Sequence, residues 1–595
     1  MFLPTTRKEM EDLGWTQADI ILVTGDSYID SPFFGIAVIG KVLHHAGYRV
    51  GVIAQPDIQS EEDICRLGEP GLFWGVSGGS IDSMIANYTA LKKKRKSDDY
   101  TPGGINNRRP DRATIAYANL IRRFFKNTRP IVLGGIEASL RRIAHYDYWS
   151  DRVRSSILLD AKADYLLYGM AEKSVLEFAK ALRRGTDVRE TKGLCYVSNG
   201  PPSKNGTTNY LELPTYETVS RDKTSFVDMF RTFYQNNEPL TATGLYQKHG
   251  TRYLVHNPPG AYETQTELDA VYALDFERAQ HPHYERQGKV AALETVRFSI
   301  ATHRGCYGEC NFCAIAVHEG RTVRWRSMHS AVSEARTLAK YPDFKGYILD
   351  LGGPTANMYG FECQKKLQKG ACRDRRCLYP AVCPTLEADH SHQLALLRKV
   401  RSIPGVKKVF VASGIRYDLL LNDKDHGLEY LEEVVEEHVS GQLKVAPEHT
   451  EPGVLKAMGK PGPVSLLQFK KLFDDMSREA GKEQFLTYYF IAGHPGCTDK
   501  DMHSLKRFAS RDLKTNPRQV QIFVPAPSTY SGVMYYTGMD PFSGKPLFVE
   551  KDARAKERQK EVLVSPAQRR PGSDRHVRAH RGRGKPRGHG KGSRG

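Results

Sequence analysis

Short apolar runs ending near glycine recur along the first third of the chain, separated by segments with helical spacing. Residues 19–25, 49–55, 72–78, 129–135 and 164–169 are such runs, and they read as strands buried on both faces. Residues 31–47, 112–125 and 171–185 repeat apolar positions three and four apart and predict helices, the first and last stopped by Gly47 and Gly185. Strand and helix in alternation predict a doubly wound α/β domain, a parallel sheet covered on both faces, over residues 1–199. Ligands on such sheets sit beyond the carboxyl ends of the strands.

From 200 to 290 the periodicity weakens, and turn residues predict a connecting region that is partly helical. It returns in the second half. Strands at 296–303, 346–353, 407–414, 442–449, 484–496 and 519–528 alternate with helices at 327–342, 391–405, 428–441, 464–481 and 498–513. Six β/α units are fewer than the eight of a closed barrel. Residues 291–550 therefore predict a partial, open (β/α)6 barrel with its chemistry at the strand ends. Residues 551–595 are rich in Arg, Gly and His and predict a basic, disordered tail.

Composition sharpens this picture in three ways. At 595 residues and 40% hydrophobic content the chain has apolar material for more than one domain. It shows no run of about 18 apolar residues and no secretory pattern at its start, so a cytoplasmic protein without a membrane partner is expected. Of the formal net charge of +19, +9 falls in residues 565–595, where eight Arg and two Lys face one Asp. A whole-protein nucleic-acid footprint is thus a weaker inference than the total charge suggests, although the tail and the Lys92–Lys96 run could hold RNA.

The cysteines carry the sharpest signal. Ten in a cytoplasmic chain point to metal or redox chemistry, and seven of them lie between Cys306 and Cys383. Cys306, Cys310 and Cys313 form C-x3-C-x2-C directly after the first barrel strand. Thiolates suit iron–sulfur clusters or zinc. A 4Fe-4S cluster usually takes four cysteines, so three would leave one iron open, whereas a structural zinc would need a fourth ligand such as His318. Cys363, Cys372, Cys377 and Cys383 form a second group, a candidate site for another iron–sulfur cluster or zinc, with reduced thiols as the alternative.

C-x3-C-x2-C with Phe312 before the last cysteine, ahead of a six-unit barrel, resembles the radical SAM superfamily. The stretches around residues 350–360, 412–420, 443–462, 490–498 and 523–541 further resemble the YgiQ-type radical SAM proteins, and the likeness runs to about Val562. This resemblance implies a 4Fe-4S cluster on Cys306, Cys310 and Cys313, S-adenosylmethionine on the open iron, and reductive cleavage to a 5′-deoxyadenosyl radical. It also implies an electron donor such as a flavodoxin or ferredoxin, and it names no substrate.

For S-adenosylmethionine the resemblance points to Gly352 and Gly353, where the superfamily commonly continues with an acid and this chain has Pro354. Ser413, Arg416 and Glu448 follow later strand ends, and Gly493 begins a turn like one that approaches adenine in related enzymes. Residues 134–139 and 168–174 resemble the cobalamin-binding-type domain that precedes many radical SAM barrels. The cobalamin motif, Asp-x-His-x-x-Gly, is incomplete after Asp26, which has no His behind it, so cobalamin is not expected. The rival readings are a non-catalytic iron–sulfur or zinc protein, and an RNA-binding protein acting through its basic tail.

The tail can be tested directly. Deleting residues 565–595 is expected to leave the melting temperature and the iron content unchanged, because the segment lacks apolar surface for a core.

Overall fold

The computed structural model describes residues 1–203, 208–517 and 520–564, so the predicted disorder of 565–595 lies outside the described residues. Nine strands make the first sheet: β1 Ile20–Thr24, β2 Val50–Ala54, β3 Phe73–Ser77, β4 Ile131–Gly134, β5 Tyr165–Leu167, β6 Leu194–Ser198, β7 Tyr210–Leu213, β8 Gly244–His249 and β9 Arg252–His256. Their order is β7-β8-β9-β6-β5-β4-β3-β1-β2. The run β2-β1-β3-β4-β5 is parallel throughout. This is the flavodoxin-like order, whose direction of winding reverses between β1 and β3 and opens a crevice at that switch point.

The strands are apolar without alternation because both faces are covered. In β1, Ile20 and Leu22 pack with helix residues Val38, Val42 and Phe178, while Ile21 and Val23 pack with Tyr117, Ala118 and Ile121 on the other side. Helices Gly35–His45 and Glu172–Arg184 therefore share one face and helix Ala113–Phe124 covers the opposite one. Gly185 takes the left-handed conformation that ends Glu172–Arg184.

Two stretches differ from the sequence reading. The segment read as connecting region adds β7, β8 and β9, and β6 and β9 run antiparallel to their neighbours, so the sheet is mixed at that edge. β7 is largely exposed, and the buried positions of β8 and β9 include the polar Gln247, His249 and His256, which dilutes the apolar run that marked the others. Likewise, the tail does not begin at 551. Residues Ala553–Val564 form a helix, held by buried Leu563, Gln559 and Ala555 against helix Asp499–Arg511. Of its four buried positions two are polar, Lys556 and Gln559, so they register as no periodic apolar pattern.

The second half forms six successive strand positions: β10 Ser299–Ala301, the pair β11 Tyr347–Ile348 and β12 Asp350–Gly352, β13 Lys408–Val409, β14 Gln442–Glu448, β15 Phe485–Ala492 and β16 Gln521–Ile522. β10 pairs with β12, β11 with β13, β14 with β15 and β15 with β16, all parallel, and Ile415 bridges Val445 between the third and fourth positions. Helices alternate with them, and their apolar faces meet the strands in one core that includes Ile300, Leu351, Val409, Val445 and Phe490. Among the described residues no helix is long and apolar enough to cross a membrane.

The C-terminal helix gives a stability test. Leu563→Ala should lower unfolding free energy by about 2–4 kcal/mol in a urea titration, the usual cost of truncating a fully buried leucine. An unchanged midpoint would show that the helix does not hold the fold together.

Candidate functional site

The cysteine loop leaves the carboxyl end of β10. His303 and Arg304 pair antiparallel with Arg324 and Trp325, which closes residues 305–323 into a loop with fixed ends. Gly305 has φ +77°, and a Cβ there would stand 2.6 Å from the Thr322 carbonyl oxygen, so the turn into Cys306 requires glycine. The loop is anchored on three sides. The Asn311 side chain donates to the Ala457 carbonyl at 2.8 Å, and Arg376 donates to the Glu309 carbonyl at 3.0 Å. The Gly305 N–H donates to Glu319 at 3.0 Å, and the buried Glu309 carboxylate holds Lys366 at 3.2 Å.

Within that frame the three sulfurs are close enough to influence one another. The Gly308 N–H donates to the Cys306 sulfur at 3.3 Å. A Cβ on Gly308 would stand 3.3 Å from the Cys306 sulfur, 3.6 Å from that of Cys310 and 3.1 Å from the Arg416 guanidinium, so the space between these groups exists only because residue 308 is glycine. Burial pushes the Cys306 and Cys313 thiols up, and the neighbouring Cys310 sulfur adds to it. Thiols in that setting ionise when a bound cation offsets the charge. The donor set and the cradle fit an iron–sulfur cluster. Among the described residues no three His, Cys, Asp or Glu side chains are gathered to share a single metal ion.

Arg416 reaches within 3.9 Å of the Cys310 sulfur while its Nε donates to Asp418 at 2.8 Å. Burial alone would raise the Asp418 carboxyl, but the Arg416 guanidinium outweighs it and holds that group below its ordinary range. Gly352 and Gly353 end β12 at the same rim. A Cβ on Gly353 would stand 2.6 Å from the His303 ring, which lies across the turn, and one on Gly352 would meet the Ser413 hydroxyl at 3.4 Å. Ser413 donates its hydroxyl to Asp350, which also accepts the Ala412 N–H at 2.8 Å. Glu448 is buried with φ +66°, its carboxyl pushed up by burial, and Lys460 stands 3.8 Å away.

Two groups of expected site residues fall elsewhere. Gly493 faces the C-terminal helix, donating its N–H to Gln559 at 2.9 Å, and a Cβ there would approach Lys556. Cys363, Cys377 and Cys383 are buried in an apolar cluster with Tyr307, Phe361 and Leu378, against which Cys306 packs; Cys372 is half-buried outside it. Burial pushes the Cys377 thiol up to about 11.

A cavity of about 530 Å³ opens beside the cysteine loop. One wall is the carboxyl edge of the first sheet, at Thr24 and Asp26 after β1, Ser77 and Gly79 after β3, and Gly134 after β4. The other is the barrel rim, at His303, Arg304, Gly352, Gly353 and Ser413. Asp26 holds Arg109 at 2.8 Å, and Arg109 also binds Asp98 at 3.1 Å, which fixes the loop after β1 at the switch point. Glu172, His303, Arg304, Glu319 and Asp350 line the cavity and escaped the sequence reading. They share no spacing motif, since the contacts that unite them join separate elements.

The family model described as Radical SAM N-terminal matches residues 2–299. UPF0313 protein FN0734 of Fusobacterium nucleatum is 54% identical over 564 residues, 95% of this chain and 98% of that protein. The UPF0313 protein of Thermotoga maritima is 49% identical over 95% of this chain and 98% of its own length. That of Methanocella arvoryzae is 46% identical over 94% and 92%. Among solved structures, the radical S-adenosylmethionine methyltransferase TsrM from Kitasatospora setae, with cobalamin and a 4Fe-4S cluster bound, has a TM-score of 0.49 at 15% identity, covering 87% of this chain and 75% of that one. The cobalamin-dependent radical enzyme OxsB with aqua-cobalamin bound has a TM-score of 0.49 at 11% identity, covering 89% and 57%. The expectation against cobalamin is corrected by these two structures, both of which hold it. The Asp-x-His-x-x-Gly motif bears on one ligand alone, and its absence after Asp26 does not speak to the space at the strand ends, where the cavity lies.

The Arg416–Asp418 pair can be tested without any cofactor. Arg416→Met should destabilise the protein by about 3–5 kcal/mol in denaturant titrations, because it leaves the buried Asp418 carboxylate unpaired. The double variant with Asp418→Asn should recover part of that loss.

Proposed function

On the premise that this chain belongs to the UPF0313 family of radical SAM proteins, we propose that it is an enzyme that cleaves S-adenosylmethionine reductively at a 4Fe-4S cluster on Cys306, Cys310 and Cys313. The observation that carries this reading is the glycine-lined cradle of three thiols directly beyond the first barrel strand, beside a rim of backbone and hydroxyl groups facing a cavity. When bound, the reduced cluster supplies the electron that splits a carbon–sulfur bond of S-adenosylmethionine, giving methionine and a 5′-deoxyadenosyl radical.

The residues of the chain have distinct tasks in this scheme. Each of the three thiolates would hold one iron and leave the fourth open. Gly352 and Gly353 would offer backbone groups to the methionyl part of S-adenosylmethionine, and the crowding of His303 over Gly353 keeps any side chain out of that turn. Ser413 and Asp350 border the same space, so Asp350 supplies a carboxylate where Pro354 cannot. Arg416 keeps a fixed positive charge 3.9 Å from the Cys310 sulfur, at the edge of the space the cluster would occupy. Phe312 and His494, whose rings are 6.2 Å apart, shield the far side of the loop from water. Electrons would come from a flavodoxin- or ferredoxin-type donor. The second cysteine group, packed behind Cys306, would at most hold an auxiliary cluster or zinc.

Anaerobic reconstitution followed by assay for 5′-deoxyadenosine is the test. Wild-type protein should hold at least about four irons per chain, and single Ala replacements of Cys306, Cys310 or Cys313 should abolish cleavage. Ala at Cys65, Cys195 or Cys497 should not. Cleavage at wild-type rate in the triple variant would overturn the reading. Gly308→Ala is expected to lower iron content as well, since its methyl group would occupy the space between two of the sulfurs.

A further inference from the structure

Three side chains that line the 530 Å³ cavity, Glu172, His303 and His318, have a buried atom without a partner, and Glu172 and His303 are themselves buried. Glu172, in the first turn of helix Glu172–Arg184, is 4% exposed; one carboxylate oxygen accepts from Arg304 at 2.5 Å and the other accepts nothing. His303 is 1% exposed, and its Nδ1 lies 2.9 Å from the Thr302 hydroxyl. The same hydroxyl lies 3.1 Å from the Gly352 carbonyl; with its proton directed there, His303 Nδ1 donates to the hydroxyl and Nε2 is left as an acceptor. Nε2 has no partner. Burial holds the imidazole down at about 4, hence neutral and accepting at pH 7. Leaving a buried acceptor unmatched is costly, and two on one cavity wall mark where a ligand completes the bonding.

The rest of the wall narrows the chemistry. Between the sheet edge and helix Gly35–His45 it is apolar, with Leu22, Phe33, Ile36, Ile39, Leu167 and Val175. Its charged members are four carboxylates, on Asp26, Glu172, Glu319 and Asp350, against the one guanidinium of Arg304, which Glu172 already holds. An anionic head would lose its hydration without gaining a free cation. A head with N–H donors would instead meet two waiting acceptors.

We infer that this cavity is the substrate site, and that it takes a ligand whose apolar body lies against the first sheet and whose nitrogen-bearing, hydrogen-bond-donating head is bound between Glu172 and His303 of the barrel rim. As an assignment of substrate class this rests on the proposed radical chemistry at the adjoining rim. As a binding site it stands on the cavity alone.

The probes are 2-naphthylmethylamine and 2-naphthoate, which share one apolar body and carry opposite charges. Each is titrated calorimetrically into the full-length, anaerobically reconstituted protein. The amine is expected to bind at least about tenfold more tightly than the naphthoate, the scale of one charge-assisted hydrogen bond. Glu172→Gln should remove at least about tenfold of the amine's affinity. Because that variant also strips a charge from Arg304 and could fail to fold, Ile36→Trp, which fills the apolar half, provides a second arm and should weaken both probes. Equal affinity for amine and naphthoate, or amine binding unchanged in Ile36→Trp, overturns the site. Iron content and 5′-deoxyadenosine formation are measured on the same wild-type preparation. Amine binding without cleavage defeats the radical reading and leaves the site standing, and cleavage without amine selectivity does the reverse.

Discussion

Arg304 joins the two halves of the active region. Its guanidinium is buried against Glu172, lies 5.3 Å from the centre of the Tyr272 ring, and sits two residues ahead of Cys306. A buried charge of that kind persists only when paired, and removing either partner would strand the other in a low-dielectric interior. The pair thereby ties the first turn of helix Glu172–Arg184 to the entrance of the cysteine loop. Both sets of parallel strands end facing the same cavity, and this contact holds the two rims in register.

From that fixed point the cysteine loop is built by exclusion and by anchoring. Glycines at 305 and 308 leave room for a carbonyl and for sulfur, while Asn311 and Glu309 tie the loop to Ala457 and Lys366 on two other helices and Glu319 braces it from within. The arrangement is preorganised, so the three thiols are held together by the surrounding structure. The carboxyl edge of the first sheet contributes in a different way. Its reversal of winding between β1 and β3 leaves a crevice, and the Asp26–Arg109–Asp98 network keeps the loop after β1 from collapsing into it.

The alternation of strands and helices was legible wherever strands are buried on both faces, because such strands must be apolar at every position; β1 and β2 are wholly buried. It was not legible for β7, which is largely exposed, for β8 and β9, which bury polar Gln247, His249 and His256, or for the helix Ala553–Val564, which docks through a few positions. Gly493 was misjudged for a related reason. Its turn has the expected backbone, with φ +71°, but what it faces is a helix 60 or more residues later in the chain.

The sequence by itself determined the cysteine trio, because three thiols on one short loop are neighbours by connectivity alone. It also determined the glycines that end β12, since a strand-ending turn is a local property. Only the tertiary structure decided that Glu172, His303 and Arg304 share one cavity, that Asp350 lines it beside Ser413, and that Arg416 reaches the Cys310 sulfur. Glu172 and Arg304 are 132 positions apart and Arg416 and Cys310 are 106 apart. Contacts at that separation follow from how sheet and barrel pack, and packing leaves no spacing in the chain for a reader to find.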